Sequence, residues 1–227
     1  MTASASRRRW IARLAASGAL ASGGIVGVIS RALAKGDLGH AQGVQRIEGS
    51  VTVAGRPASI GTPVALGDRV ATGARSSAVI VVGQDAFLMR ADSMIVTSGE
   101  RGTLSRLLIE TGRVLSVFGK KPVEIKAAIA SIGIRGTGCY IEVAPQDVYF
   151  CLCYGEARVD GARMETKRVK TTHHESPLLL TESDGVVRAE PGPFRNHTDA
   201  ELIMLEALVG REPPFLTSGV QYPAGKY

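Results

Sequence analysis

The chain has 227 residues, 44% of them hydrophobic and 21% charged, a length that suits one domain with a sizeable core plus appendages. Aromatic residues are only 5% and glycines number 27, which favours many short elements joined by tight turns and argues against a helical bundle. The net charge of +6 does not imply a nucleic-acid partner: Arg7, Arg8, Arg9, Arg13 and Arg31 lie in the first 34 residues, which hold no acid, and the remainder is near neutral.

Those first residues read as a unit. Ser6-Arg7-Arg8-Arg9-Trp10-Ile11 leads into an uncharged, glycine-rich segment from Leu14 to Ser30, and then into Ala32-Leu33-Ala34. A basic head, a moderately apolar middle and a small-x-small end predict an export signal over residues 1–34, cleaved near Ala34, followed by a linker over 35–43. The order Ser-Arg-Arg-x-aromatic-aliphatic resembles the twin-arginine signal, and the weakly hydrophobic middle suits that route. The expected location is periplasmic, with transient or N-terminal membrane contact. The alternative is retention at the inner membrane, anchored by residues 14–30, a span at the short end of what crosses a bilayer.

From Val44 to Val159 the chain repeats short aliphatic or β-branched runs punctuated by glycine and aspartate. Ile47 to Val53, Val79 to Val82, Ala86 to Met89, Met94 to Thr97, Leu107 to Glu110 and Arg113 to Val117 are the clearest, and their length and spacing predict strands of a sandwich or coiled sheet. Gly67-Asp68, Gly73, Gly83-Gln84-Asp85 and Gly112 read as turns. No glycine group is followed by a helix, so a phosphate-cradling loop is not expected.

All three cysteines fall in one hairpin-sized window. If Thr137 to Val143 and Val148 to Tyr154 are antiparallel strands turning around Ala144-Pro145-Gln146-Asp147, Cys139 lies opposite position 152 or 153, while Cys151 and Cys153 share a face because side chains alternate with period two. A register opposing 139 and 153 would put three sulfurs on one face. Joined by His173, His174 or His197, these cysteines would suit a soft ion, zinc or copper(I), with Glu175 as an orienting acceptor. Two other readings stand beside this one. One pairs Cys139 with Cys151 or Cys153 in a disulfide that leaves an odd thiol; the other has the cysteines pack and bind nothing.

After Val159 the texture changes. Met164 to Lys170 reads as one more charged strand, and Ser176 to Pro193 as irregular apart from Leu178-Leu179-Leu180 and Val186-Val187. Thr198 and Glu201 form a capping box, predicting a helix over 199–209 that stops at Gly210, with Leu202, Leu205, Leu208 and Val209 as its apolar stripe. The extension over 161–227 is expected to wrap over the cysteine edge.

Several segments together resemble the FecR domain, the extracytoplasmic module of ferric-citrate-type regulators. They are Val44 to Val53, Gly67 to Gly73, Ala78 to Leu88, Ser93, Ile132-Gly133-Ile134-Arg135-Gly136-Thr137 and Tyr154 to Val159, about half of the chain. The resemblance implies an all-β, FecR-like domain over 44–160, here in a stand-alone secreted form, used for sensing or for contacts with an envelope protein partner. Regulators of that family hold a sigma factor through a cytoplasmic helical region. Only about a dozen residues precede the apolar segment here, so no sigma-factor contact is expected.

Catalysis is not expected. There is no Gly-x-Ser-x-Gly elbow, and Glu142, Asp147 and Glu156 are scattered rather than paired. The sequence therefore points to a noncatalytic extracytoplasmic binding or sensing protein with a Cys/His metal cluster. The alternatives are an envelope interaction scaffold with a structural disulfide and a redox protein.

Overall fold

The structure, a computed structural model, describes residues 42–216. The export-signal expectation falls outside the described residues. Among the described residues no helix is long and apolar enough to cross a membrane.

The described residues form an all-β fold with one short α-helix, built from fifteen strands in two sheets. Strands β1 (Gly43–Glu48), β5 (Ser77–Val82), β6 (Asp85–Met89), β11 (Gly138–Val143), β14 (Leu178–Ser183) and β15 (Val186–Pro191) belong to the first sheet. Strands β2 (Val51–Val53), β3 (Arg56–Pro57), β4 (Arg69–Thr72), β7 (Met94–Glu100), β9 (Pro122–Ala127), β10 (Ala130–Arg135) and β13 (Lys167–Thr171) belong to the second. The two long strands β8 (Thr103–Val117) and β12 (Asp147–Gly161) run through both. Pairing is antiparallel except between β8 and β9.

Glycine makes those long strands possible. Gly112 in β8 and Gly155 in β12 have φ of +92° and +100° at the points where each strand passes from one sheet to the other. A Cβ on Gly112 would lie 2.3 Å from Ser93 Oγ, and one on Gly155 would lie 2.6 Å from Thr137 Cγ2. Only a residue without a side chain fits either corner. The sequence suggests a turn at Gly112 between two short strands; the structure instead bends one continuous strand there.

The principal core lies between the sheets and includes Ile80, Phe87, Ile109, Ile125, Ile132, Ile141, Phe150 and Leu152. Residues 176–193, which look irregular in sequence, form the β14–β15 hairpin. Strand β14 pairs with the first half of β12, so this segment completes the first sheet. Polar residues at its exposed tip and the flanking Pro177 and Pro191 obscure the alternation from which strands are read.

The outer face of the first sheet carries a second core. Helix α1 (Asp199–Leu208) lies across β6 and β8 and buries Leu202, Met204, Leu205 and Leu208 against Val79, Leu88, Leu115 and Tyr140. Thr198 caps the helix in a full capping box with Glu201. Beneath its C-terminal half, Glu206 accepts from the Tyr154 hydroxyl and from Arg211 Nε at 2.6 Å, which supplies partners for a carboxylate removed from water.

Candidate metal centre

Strand β12 supplies the sulfurs. Side chains alternate along it, so Val148, Phe150 and Leu152 enter the inter-sheet core while Tyr149, Cys151 and Cys153 point to the face under the C-terminal segment. The turn over 144–147, closed by Ala144 N–H donating to Asp147 O at 2.9 Å, sets the register of β11 against β12 and places Cys139 opposite Leu152. The register irregularity at Gly138/Cys139 then pairs Gly138 with Tyr154.

Cys139 consequently faces the inter-sheet core, and the three-sulfur face that a 139–153 register would create does not form. All three cysteines are free thiols, so the disulfide of the alternative reading is also absent. Cys139 projects from the opposite side of the sheet to its two candidate partners. Burial pushes its thiol well above the usual range, as expected of an inert core cysteine.

Two loops bring in the imidazoles. His174 follows β13 in a left-handed conformation, φ +56°, and its N–H donates to Cys153 O at 3.0 Å. His197 precedes the helix cap, follows left-handed Asn196 and stacks on Tyr140 with ring centroids 4.6 Å apart. Cys151, Cys153, His174 and His197 are all buried, and their ligand atoms lie within 4.8 Å of one another. The individual separations are 3.6 Å from Cys151 Sγ to His174 Nδ1, 3.5 Å from Cys153 Sγ to His197 Nε2, and 3.2 Å between the two ring nitrogens. Tetrahedral zinc with ordinary Zn–N and Zn–S bonds requires about 3.3 Å between nitrogens and about 3.6 Å between nitrogen and sulfur. The four residues form a buried Cys2His2 group with the donors and spacing to hold a metal ion.

The outer nitrogens fix the tautomers. His174 Nε2 lies 3.1 Å from Asp199 Oδ1 and His197 Nδ1 lies 2.8 Å from Arg195 O. A carboxylate and a carbonyl only accept, so each neutral ring places its proton outward and turns a lone pair on His174 Nδ1 and on His197 Nε2 into the cluster. Two lone pairs facing each other at 3.2 Å call for a cation or a proton between them.

His173 is buried beside this group but is not one of its four donors: with His174 and Asp199 it forms a second set, its Nε2 meeting Asp199 Oδ1 at 2.8 Å. Glu175 is not the orienting acceptor that the sequence suggests. Its carboxylate accepts from the hydroxyls of Thr171 and Thr172 and from Thr172 N–H at 2.6 Å, so it braces the loop backbone while Asp199 orients the rings. Asp199, at the first helical position, is the residue that sequence reasoning missed. In sequence it reads only as a favourable charge in a first helical turn.

The thiols are polarised unequally. The hydrogen bond from Cys153 is the largest influence on Cys151 and outweighs burial; with further help from His174 and His197 it lowers the Cys151 thiol to about 4. Burial, and then the hydrogen bond to Cys151, pushes Cys153 well up. Without an ion the pair therefore behaves as one thiolate holding the other thiol's proton, and a divalent ion binding there would displace that proton.

No family model matches the chain, and no curated protein matches it. Two crystal structures of a "putative anti-sigma factor" from Parabacteroides distasonis ATCC 8503, at 1.65 Å and 2.50 Å resolution, superpose with TM-scores of 0.45 and identities of 10% and 11%. Each match covers 54% of this chain and 59% of the other, so the chain spans little more than half the length of these structures.

Proposed function

We propose that this chain is a noncatalytic extracytoplasmic binding or sensing protein whose Cys151, Cys153, His174 and His197 hold one zinc ion. The observation that carries the reading is the convergence of two lone-pair nitrogens, each with its outer nitrogen held by an acceptor, on two thiols in a buried space. Four protein ligands leave no open coordination position, the pattern of a structural site rather than one that activates water. Two thiolates and two neutral imidazoles balance a divalent cation, whereas copper(I) would leave a net negative charge buried among apolar side chains. The ion would join three segments: β12, the loop after β13 and the approach to α1.

The test is elemental analysis with thiol counting on full-length protein purified without chelator from its native host. One zinc per chain, with Cys151 and Cys153 reacting only after the ion is removed, is the expected result. One copper would replace the ion in this reading. No metal, with Cys151 and Cys153 reacting fully on unfolding alone and without any chelator, would overturn it.

A further inference from the structure

The outer face of the second sheet carries a groove of about 860 Å³ on the surface of β9, β10, β12 and β13, independent of the metal centre. Its floor is Gly133, an exposed residue in the middle of β10. Neither of the usual reasons for a strand-interior glycine applies. Its φ is not positive, and a Cβ built on it would meet nothing within 4 Å. A glycine that weakens a strand without serving backbone conformation or internal packing leaves room for a group approaching from outside.

The register places charge around that opening. Gly133 lies between Glu124 on β9 and Arg158 on β12, and Arg158 pairs in turn with Arg168 on β13. Two residues along β10 and on the same face is Arg135. Three acids of the lining are already engaged: Glu124 by Arg106 and Lys126, Glu156 by Lys170, and Asp160 by Arg158. Arg135 and Arg168 have no ion pair or hydrogen-bonded side-chain partner among the described residues. Two forked donors thus stand at the rim of the open floor, Arg135 along β10 and Arg168 one strand beyond Arg158, each suited to bidentate pairing with a carboxylate.

The occupant follows from what else lines the groove. No lining residue is aromatic, so the stacking platform usual for bases is missing. Four cations and three acids line it, and so nearly balanced a surface repels a dense polyanion almost as much as it attracts one. We propose that this groove is a docking site for an extended, sparsely acidic segment of a protein partner. One backbone stretch would lie over Gly133, with its carboxylates paired to Arg135 and Arg168.

Amide-resonance titration of the isotope-labelled full-length chain with the acetylated, amidated peptide Gly-Glu-Thr-Glu-Gly tests this. Saturable shifts confined to β9, β10, β12 and β13 are expected, at least tenfold weaker in Gly133→Val, which fills the floor without changing charge. They should weaken equally in Arg135→Gln and Arg168→Gln, and vanish with a glutamine version of the peptide. Dispersed spectra of the three variants verify folding, and the arginine variants carry the test if Gly133→Val does not fold. Absence of saturable binding, or binding untouched by these variants, would overturn the proposal. So would equally tight, equally confined binding of inorganic pyrophosphate, which would make the groove a general oxyanion site.

Discussion

Asp199 Oδ1 accepts from His174 Nε2 at 3.1 Å while the other nitrogen of the same ring looks into the sulfur pair. The carboxylate thereby sets the tautomer and the direction of the lone pair without touching the ion's position. Such outer partners typically influence metal affinity by about 10- to 100-fold. Asp199→Ala should weaken zinc binding by about that factor and leave the stoichiometry at saturation unchanged, as competition with a chromophoric chelator would measure. An unaltered affinity would reduce Asp199 to a helix-terminus charge.

Cys139 tests the face assignment from the other side. Its thiol is buried between the sheets, opposite Leu152 and away from the cluster, so Cys139→Ala should retain the full metal content. The lost sulfur leaves a small void and should lower unfolding stability by about 1 kcal/mol in urea titration. Loss of the ion in this variant would mean that the register of β11 against β12 is wrong.

A buried ion pair away from the centre gives a pH prediction. Asp85, with 1% of its side chain exposed, accepts from Lys121 Nζ at 2.6 Å and from Gly119 N–H at 3.0 Å. Burial nevertheless raises its carboxyl above the ordinary value of 3.8. Lys121→Met removes an opposing influence and raises it further. The folded state then binds the proton more tightly than the unfolded one, so this group's contribution is fully present below pH 3.8 and is lost as pH rises through the folded value. At pH 7 the variant should be about 3 kcal/mol less stable than wild type. The difference should shrink towards pH 4, and urea midpoints of the two proteins measured side by side would show it. A gap independent of pH would mean that Asp85 is not the group left behind.

The amino-terminal expectation has its own assay. If Arg7 and Arg8 direct twin-arginine export, the double substitution to lysine should hold the full-length chain in the cytoplasm, which fractionation and immunoblotting would detect. Unchanged export would reject that route.

The β character of the fold was legible because alternation and glycine punctuation are local signals. So was the shared face of Cys151 and Cys153, which follows from period two alone. The position of Cys139 was less so, since a turn one residue longer or shorter exchanges the faces that residues of the paired strand present. His174 and His197 were recognisable as donors by type. Their convergence depends on left-handed residues at His174 and Asn196, neither of which is a glycine that would announce such a conformation. Asp199 was hidden by a second, sufficient explanation for an acid at a helix start. The passage of β8 and β12 between sheets was hidden because a glycine corner and a glycine turn look identical in one dimension.

The three segments that meet at the cluster are far apart along the chain: 23 residues from Cys151 to His174 and 23 more to His197. An ion bound there closes two chain loops at once, enclosing β13 in one and the β14–β15 hairpin in the other. Closing a loop of that size removes conformational freedom from the unfolded chain worth on the order of 3 kcal/mol. Much of the ion's effect would therefore be exerted on the disordered ensemble. The supply of metal during folding would govern how readily residues 174–197 close onto β12, in addition to the β14–β12 pairing and the core beneath α1 that hold them in the finished protein.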